Sequence, residues 1–141
     1  QVAANYEGLH AVNIKSGQLA ATVARLTSGN GVDVVFECSG AKPAIAGISE
    51  HIAPGGTAVL VCMPIDAAPM DIVAAQAKEV TFKTIFRYAN MYPRTLRLLS
   101  SGKLRVQPLI SQTYKFVDSV AAFERAAAGN PDDIKIMLEM E

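Results

Sequence analysis

Val32-Asp33-Val34-Val35-Phe36-Glu37-Cys38 is the stretch whose reading decides the fold class. It is a nearly continuous run of β-forming, mostly apolar residues. A strand with one wet face alternates apolar and polar positions, whereas a run of this kind suits a strand covered on both faces, the mark of a parallel sheet. Ser39-Gly40 ends it. Downstream, Pro43 suits the first position of a helix carrying Ile45, Ile48 and Ile52 on one face. Pro54-Gly55-Gly56 reads as a turn, and Thr57 to Cys62 as a second doubly buried strand punctuated by Pro64. Asp71 can cap a short helix through Ala77, and Val80 to Phe86 is a third strand. A helix from Pro93 to Ser101, an extended segment from Leu109 to Tyr114, a helix ending at Gly129 and a last strand at Ile134 to Met140 complete the series. Upstream, Val2 to Tyr6 reads as the end of a helix, residues 11–13 as a very short strand, and Leu19, Val23 and Leu26 as a helix face. Strands alternating with helices predict an α/β fold around a parallel sheet.

The chain has 141 residues, half of them hydrophobic, which is ample for one core. Thirteen basic residues balance thirteen acidic ones, so no basic stripe points to nucleic acid. No apolar run approaches the roughly 20 residues of a membrane span. The opening residues lack a signal-peptide pattern, and Cys38 and Cys62 sit in apolar runs as reduced, buried thiols, with a disulfide or a metal site the minor alternative, so a cytoplasmic protein is expected. His10 and His51 have no metal-type partners in their spacing.

Past the third strand, Thr84-Ile85-Phe86-Arg87-Tyr88-Ala89-Asn90 sets an arginine, a tyrosine and an asparagine together. Open parallel sheets bind ligands beyond the carboxyl ends of their strands. A guanidinium and a phenol there can hold a hydroxylated or anionic small molecule, although polar loops at strand ends are also common without a ligand. A nucleotide-binding sheet of this kind opens with a strand and a glycine-rich turn. No G-x-G-x-x-G occurs, and the glycines at 8, 17, 29, 31 and 40 do not fit its spacing. The chain reads either as a different α/β fold or as the second part of one.

The residues from Gly31 to Gly40, Pro54 to Val61, Phe86-Arg87-Tyr88 with Asn90 and Pro93, and Ile134 to Met137 together resemble the zinc-containing medium-chain dehydrogenases, in order and with matching spacing. Within them the resemblance is greatest to the sorbitol and xylitol (polyol) dehydrogenases, whose more specific mark is the Phe-Arg-Tyr-x-Asn segment. It implies an incomplete Rossmann-type, doubly wound parallel sheet with a C-terminal return segment. Residues 1–105 would be the later part of the dinucleotide-binding domain, its first strand and glycine-rich turn absent. Residues 106–141 would hold the remaining elements and the return toward a catalytic domain.

The resemblance implies that Val61, Cys62 and Met63 meet the nicotinamide end of NAD, with Cys62 standing where glycine is more usual. It implies a second cofactor-contacting stretch at Ile85, Phe86 and Arg87, and polyol contacts from Arg87 and Tyr88. Cys38, Ser39 and Gly40 would lie near the adenosine half. Zinc is implied as a second cofactor with its ligands upstream of this chain, so no catalytic or metal-binding residue is expected within it and the chain alone should be inactive. The implied partners are the polyol, the N-terminal part of the enzyme and further copies of the chain, with Ala67 to Ile72 as a candidate edge for self-association. The rival reading is a non-catalytic α/β module for dimerisation or ligand binding.

Overall fold

The computed structural model describes residues 6–140, which form two compact units. One is Val12–Ala89; the other is residues 90–140 with residues 6–11.

In the first unit the order is α1 (Leu19–Leu26), β1 (Val32–Glu37), α2 (Lys42–Ala46), β2 (Ile52–Leu60), α3 (Ile72–Ala77) and β3 (Thr81–Thr84). The three strands form one parallel sheet in the order β1-β2-β3, as the apolar runs predict. Helices span both connections between paired strands, since parallel neighbours need a crossover. Ile48, Ile52 and Ala58 form the core, with Val35, Leu60, Met70, Val80 and Phe82 packed against it. Ile52 is fully buried, which for such a side chain contributes about 1.5–3 kcal/mol.

Several expectations change. Strand β2 is covered on both faces, but β1 is not: Val35 and Glu37 turn inward while Val34 is 46% and Phe36 65% exposed. No described element of this unit packs over Phe36, so an apolar run was read as burial that only a further layer would supply. Residues 11–13 form no strand, and Ile14–Ser16 is instead a 3-10 turn capped by Asn13 Oδ1. Cys38 is exposed and Cys62 partly so, rather than buried, because both stand just past the ends of their strands. Tyr6 lies in a bend, and the rest of the expected Val2 to Tyr6 helix end falls outside the described residues.

The helix expected to carry Ile45, Ile48 and Ile52 stops after Ala46, and Pro43 occupies its second position. A 3-10 turn, Ile48–His51, follows, and Ile52 opens β2. One cause is visible: Gly47 is a poor helix residue. Lys78 Nζ donates to the carbonyls of Ser49, Glu50 and Ile52 at 2.9, 3.0 and 3.0 Å, holding the 3-10 turn and the start of β2 in place. The Lys78 carbonyl in turn accepts from Gly55 N at 2.7 Å. Pro54-Gly55-Gly56 is the predicted turn held within β2: Val32 pairs with Ile52 but Val34 with Thr57, so the residues between them bulge out of the ladder.

Lys78→Met is therefore expected to destabilise this unit by about 1.5–3 kcal/mol, the range for hydrogen bonds to a charged group. A fall in the urea midpoint with the denaturant slope unchanged checks it. An unshifted midpoint would make the three carbonyl bonds energetically idle.

The second unit holds α4 (Tyr92–Ser100) and a strand–helix–strand unit: β4 (Ile110–Lys115), α5 (Ser119–Ala128) and β5 (Lys135–Glu139), with β4 and β5 parallel. Gly129, at φ 62°, ends α5 in the left-handed conformation that closes helices. Ile136 and Leu138 are half-buried while their neighbours are exposed, so β5 has one exposed face; Ile134 and Met140, at the ends of the expected strand, lie outside it and are exposed. Arg125 grips Asp133 through Nε–Oδ2 at 2.6 Å and Nη2–Oδ1 at 3.0 Å, tying α5 to the turn before β5.

Candidate functional site

All three strands of the first sheet run in one direction, so their carboxyl ends share an edge. The bonds there join the segments in sequence. The Glu37 carbonyl accepts from Val61 N at 2.9 Å and Cys62 N at 3.2 Å, and Ile85 N donates to the Leu60 carbonyl at 3.0 Å. Cys38–Gly40, Val61–Met63 and Ile85–Arg87 thus lie side by side. Their side chains form an open, largely apolar rim: Val61, Met63, Ile85 and Phe86 are all exposed, Met63 to 75% and Phe86 to 67%. Arg87 lies over the Phe86 ring, Cζ 5.2 Å from its centroid, within cation–π range. Its φ of 57° is left-handed, uncommon for a residue with a side chain. Tyr88 follows, 60% exposed.

The buried anchor of this edge is Glu37, which the sequence reading left inside a strand. It is 5% exposed. Its carboxylate accepts from Ser39 Oγ, from Ser39 N at 2.9 Å and from Gly40 N at 3.1 Å, winding the chain tightly past the end of β1. Burial pushes the Glu37 carboxyl up, but the hydrogen bonds from Ser39 Oγ and the Ser39 and Gly40 N–H groups outweigh it and hold it below its ordinary value of 4.5. The signal available in sequence was an acid near the end of an apolar run, two residues before the turn residues Ser39 and Gly40. Gly40 faces the next strand end: a Cβ there would lie 3.5 Å from Cys62 Cβ and from the Met63 carbonyl oxygen. Lys42, the first residue of α2, and Asp66, in the loop after β2, pair at 3.2 Å, both exposed.

Because its folded value is depressed, Glu37 contributes stability that is present above about pH 4.5 and lost as the pH falls through the folded value. Glu37→Gln is expected to cost about 1 kcal/mol at neutral pH, the gap between charged and neutral hydrogen bonds, and to flatten the acid limb of stability. Urea midpoints at several pH values check both; a variant with the same acid limb as the parent would remove Glu37 as its source.

An open cavity of about 880 Å³ lies beside β1, walled by Ile14, Leu19, Val35, Phe36, Pro43 and Ile48. Among the described residues no group of three His, Cys, Asp or Glu side chains could hold a metal ion, His10 and His51 included. Among the described residues no helix is long and apolar enough to cross a membrane.

With that geometry in place, comparison with known proteins decides the family. Residues 1–101 match the family described as zinc-binding dehydrogenase. The chain belongs to the zinc-binding dehydrogenases. A D-xylulose reductase from Morganella morganii is 76% identical to this chain over 128 residues, 90% of the chain and 38% of that relative. A D-xylulose reductase from Saccharomyces cerevisiae is 40% identical over 110 residues, 77% of the chain and 31% of the relative. The chain thus spans well under half the length of these curated relatives. Among solved structures, an alcohol dehydrogenase from Thermus sp. ATN1 superposes with a TM-score of 0.81 at 20% identity, over 95% of the chain and 39% of that protein. The fold is accordingly α/β and Rossmann-type, in agreement with the resemblance.

Proposed function

We propose that this chain is the carboxyl-terminal part of a cytoplasmic, NAD-linked polyol dehydrogenase that oxidises a secondary alcohol of a polyol such as xylitol or sorbitol to the ketose. The observation that carries the reading is the 76% identity to the Morganella morganii D-xylulose reductase over 90% of the chain. On this reading residues up to 105 belong to the dinucleotide-binding domain and residues 106–141 make the return toward a catalytic domain.

The strand-end edge suits the nicotinamide end of a dinucleotide. Its backbone is fixed by the Glu37–Val61, Glu37–Cys62 and Leu60–Ile85 bonds, and its rim is apolar enough to exclude water from a flat ring. Val61, Cys62, Met63, Ile85, Phe86 and Arg87 would hold that end, chiefly through main-chain groups, which give a carboxamide a rigid donor and acceptor. When bound, NAD supplies the hydride acceptor. Arg87 and Tyr88 would orient the polyol hydroxyls, the guanidinium offering several donors in a fixed fork. The left-handed backbone at Arg87 supports this role, since strain of that kind concentrates where a side chain must be aimed. The described residues do not fit a zinc site. Zinc, the second cofactor of the reading, would take its ligands from a preceding part of the protein, and no step here runs through it.

The partners follow from the same reading: the polyol, that preceding part of the enzyme, and further copies of the chain. The cavity beside Phe36 and the uncovered face of β1 suit a covering layer supplied by the preceding part, because parallel sheets are covered on both faces.

The test is NADH formation with xylitol and sorbitol by the 141-residue chain and by the same chain joined to the preceding part of its gene product. The joined protein is expected to be active and the chain alone inactive. Turnover by the chain alone, or none by the joined protein on any polyol, would overturn the reading.

A further inference from the structure

We infer that Cys38 and Cys62 are a redox-sensitive pair which peroxide converts to an intramolecular disulfide stapling the ends of β1 and β2. Both thiols are free and accessible to different degrees, Cys38 exposed and Cys62 partly so. Register places them together. Glu37 pairs with Leu60, which sets Cys38 beside Val61 and one residue from Cys62. Strand spacing and rise alone put such diagonal neighbours about 5.8 Å apart, inside the range of about 4.4–6.8 Å between Cα atoms that a disulfide spans.

In a regular ladder the two side chains would point to opposite faces, and no bond could form. The ladder ends just before them. The Glu37 carbonyl takes both Val61 N and Cys62 N, so the chain turns at Cys62. Its thiol then points back at β1, donating to the carbonyl oxygen of Cys38 at 2.6 Å. The sulfur of Cys62 thus already rests on the residue it would join, and a rotation of the exposed Cys38 side chain completes the approach.

The chemistry balances with hydrogen peroxide as oxidant. The Cys38 sulfur attacks one peroxide oxygen, the O–O bond breaks, and one water departs, leaving a sulfenic acid on Cys38. The Cys62 thiol attacks that sulfur, the S–S bond forms, and a second water leaves. Two thiols are oxidised and one peroxide is reduced. The pairing stands on the strand ends alone and does not depend on the proposed function.

The experiment is brief exposure of the purified protein to hydrogen peroxide, followed by intact mass, iodoacetamide labelling and peptide mapping. The expected result is a loss of two hydrogens, no alkylated cysteine, one peptide pair joined through Cys38 and Cys62, and full reversal by dithiothreitol. Cys38→Ser is expected to abolish the two-hydrogen loss. Both cysteines remaining alkylatable, a disulfide between two chains in place of the internal one, or an unchanged mass loss in Cys38→Ser would each overturn the inference.

Discussion

Gly31→Ala is expected to unfold the 12–89 unit or leave it barely stable. Gly31 has φ 91°, and a Cβ there would meet Ala53 N at 2.7 Å, the His51 carbonyl oxygen at 2.8 Å and Ile52 C at 2.8 Å. All three atoms are backbone and cannot swing aside. Left-handed strain of about 1–3 kcal/mol adds to overpacking of about 1–3 kcal/mol, against a total stability of about 5–15 kcal/mol for a typical domain. The contacts fall where β2 begins, so relief would have to move Ile52, the fully buried residue of the core. Gly55→Ala is the control. Its φ is 75°, but a Cβ there meets nothing within 4 Å, so only the strain is incurred. Urea midpoints by circular dichroism should fall much further for Gly31→Ala. Equal shifts would mean that the backbone at residues 51–53 yields, and that the close approach is not what requires glycine.

Arg87→Ala, in the enzyme of which this chain is proposed to be part, should lower kcat/KM for xylitol and sorbitol by about ten- to a hundredfold. The estimate takes the loss of charge-assisted hydrogen bonds at about 1.5–3 kcal/mol, with about 1.4 kcal/mol per decade. Affinity for NAD should change far less, because the cofactor contacts are assigned to main-chain groups. Folding should be nearly intact: the Arg87 side chain lies outside the core and stacks on a Phe86 ring that is itself 67% exposed. Arg87→Lys keeps the charge but not the planar fork, and should recover only part of the loss. Unchanged efficiency on every polyol would leave Arg87 as a solvated loop residue; a parallel loss of NAD affinity would move it to the cofactor.

Much of the fold was legible in single residues. The β-former runs at 32–38 and 57–62 gave two of the three sheet strands and their parallel sense, because such strands carry apolar residues without clean alternation. Asp71 was readable as a cap, and its Oδ1 accepts from Ala74 N at 2.9 Å. Gly129 was readable as a stop. The Thr84 to Asn90 segment was placed by a general rule of open α/β sheets, whereas Val61 to Met63 and Ile85 to Arg87 were named together only through the family resemblance.

What the sequence by itself determined is therefore local or periodic: which segments are strands, where helices are capped, and the family that the spacing of those signals resembles. Only the tertiary structure decided whatever depends on a partner distant in sequence. Lys78 fixes the turn ahead of β2, nearly thirty positions away, because its ammonium takes three carbonyls there, and no pattern around residue 78 announces this. Glu37, the last residue of β1, is a buried anchor because the turn at Ser39 and Gly40 brings three donors onto it. Cys38 and Cys62 look like two buried thiols in separate apolar runs, and become neighbours only once β1 and β2 pair in register. The uncovered face of β1 is the same lesson in reverse. Hydrophobic pattern records which surfaces must be covered, but what covers them is decided by packing between elements, and for Phe36 no described element of its unit does so.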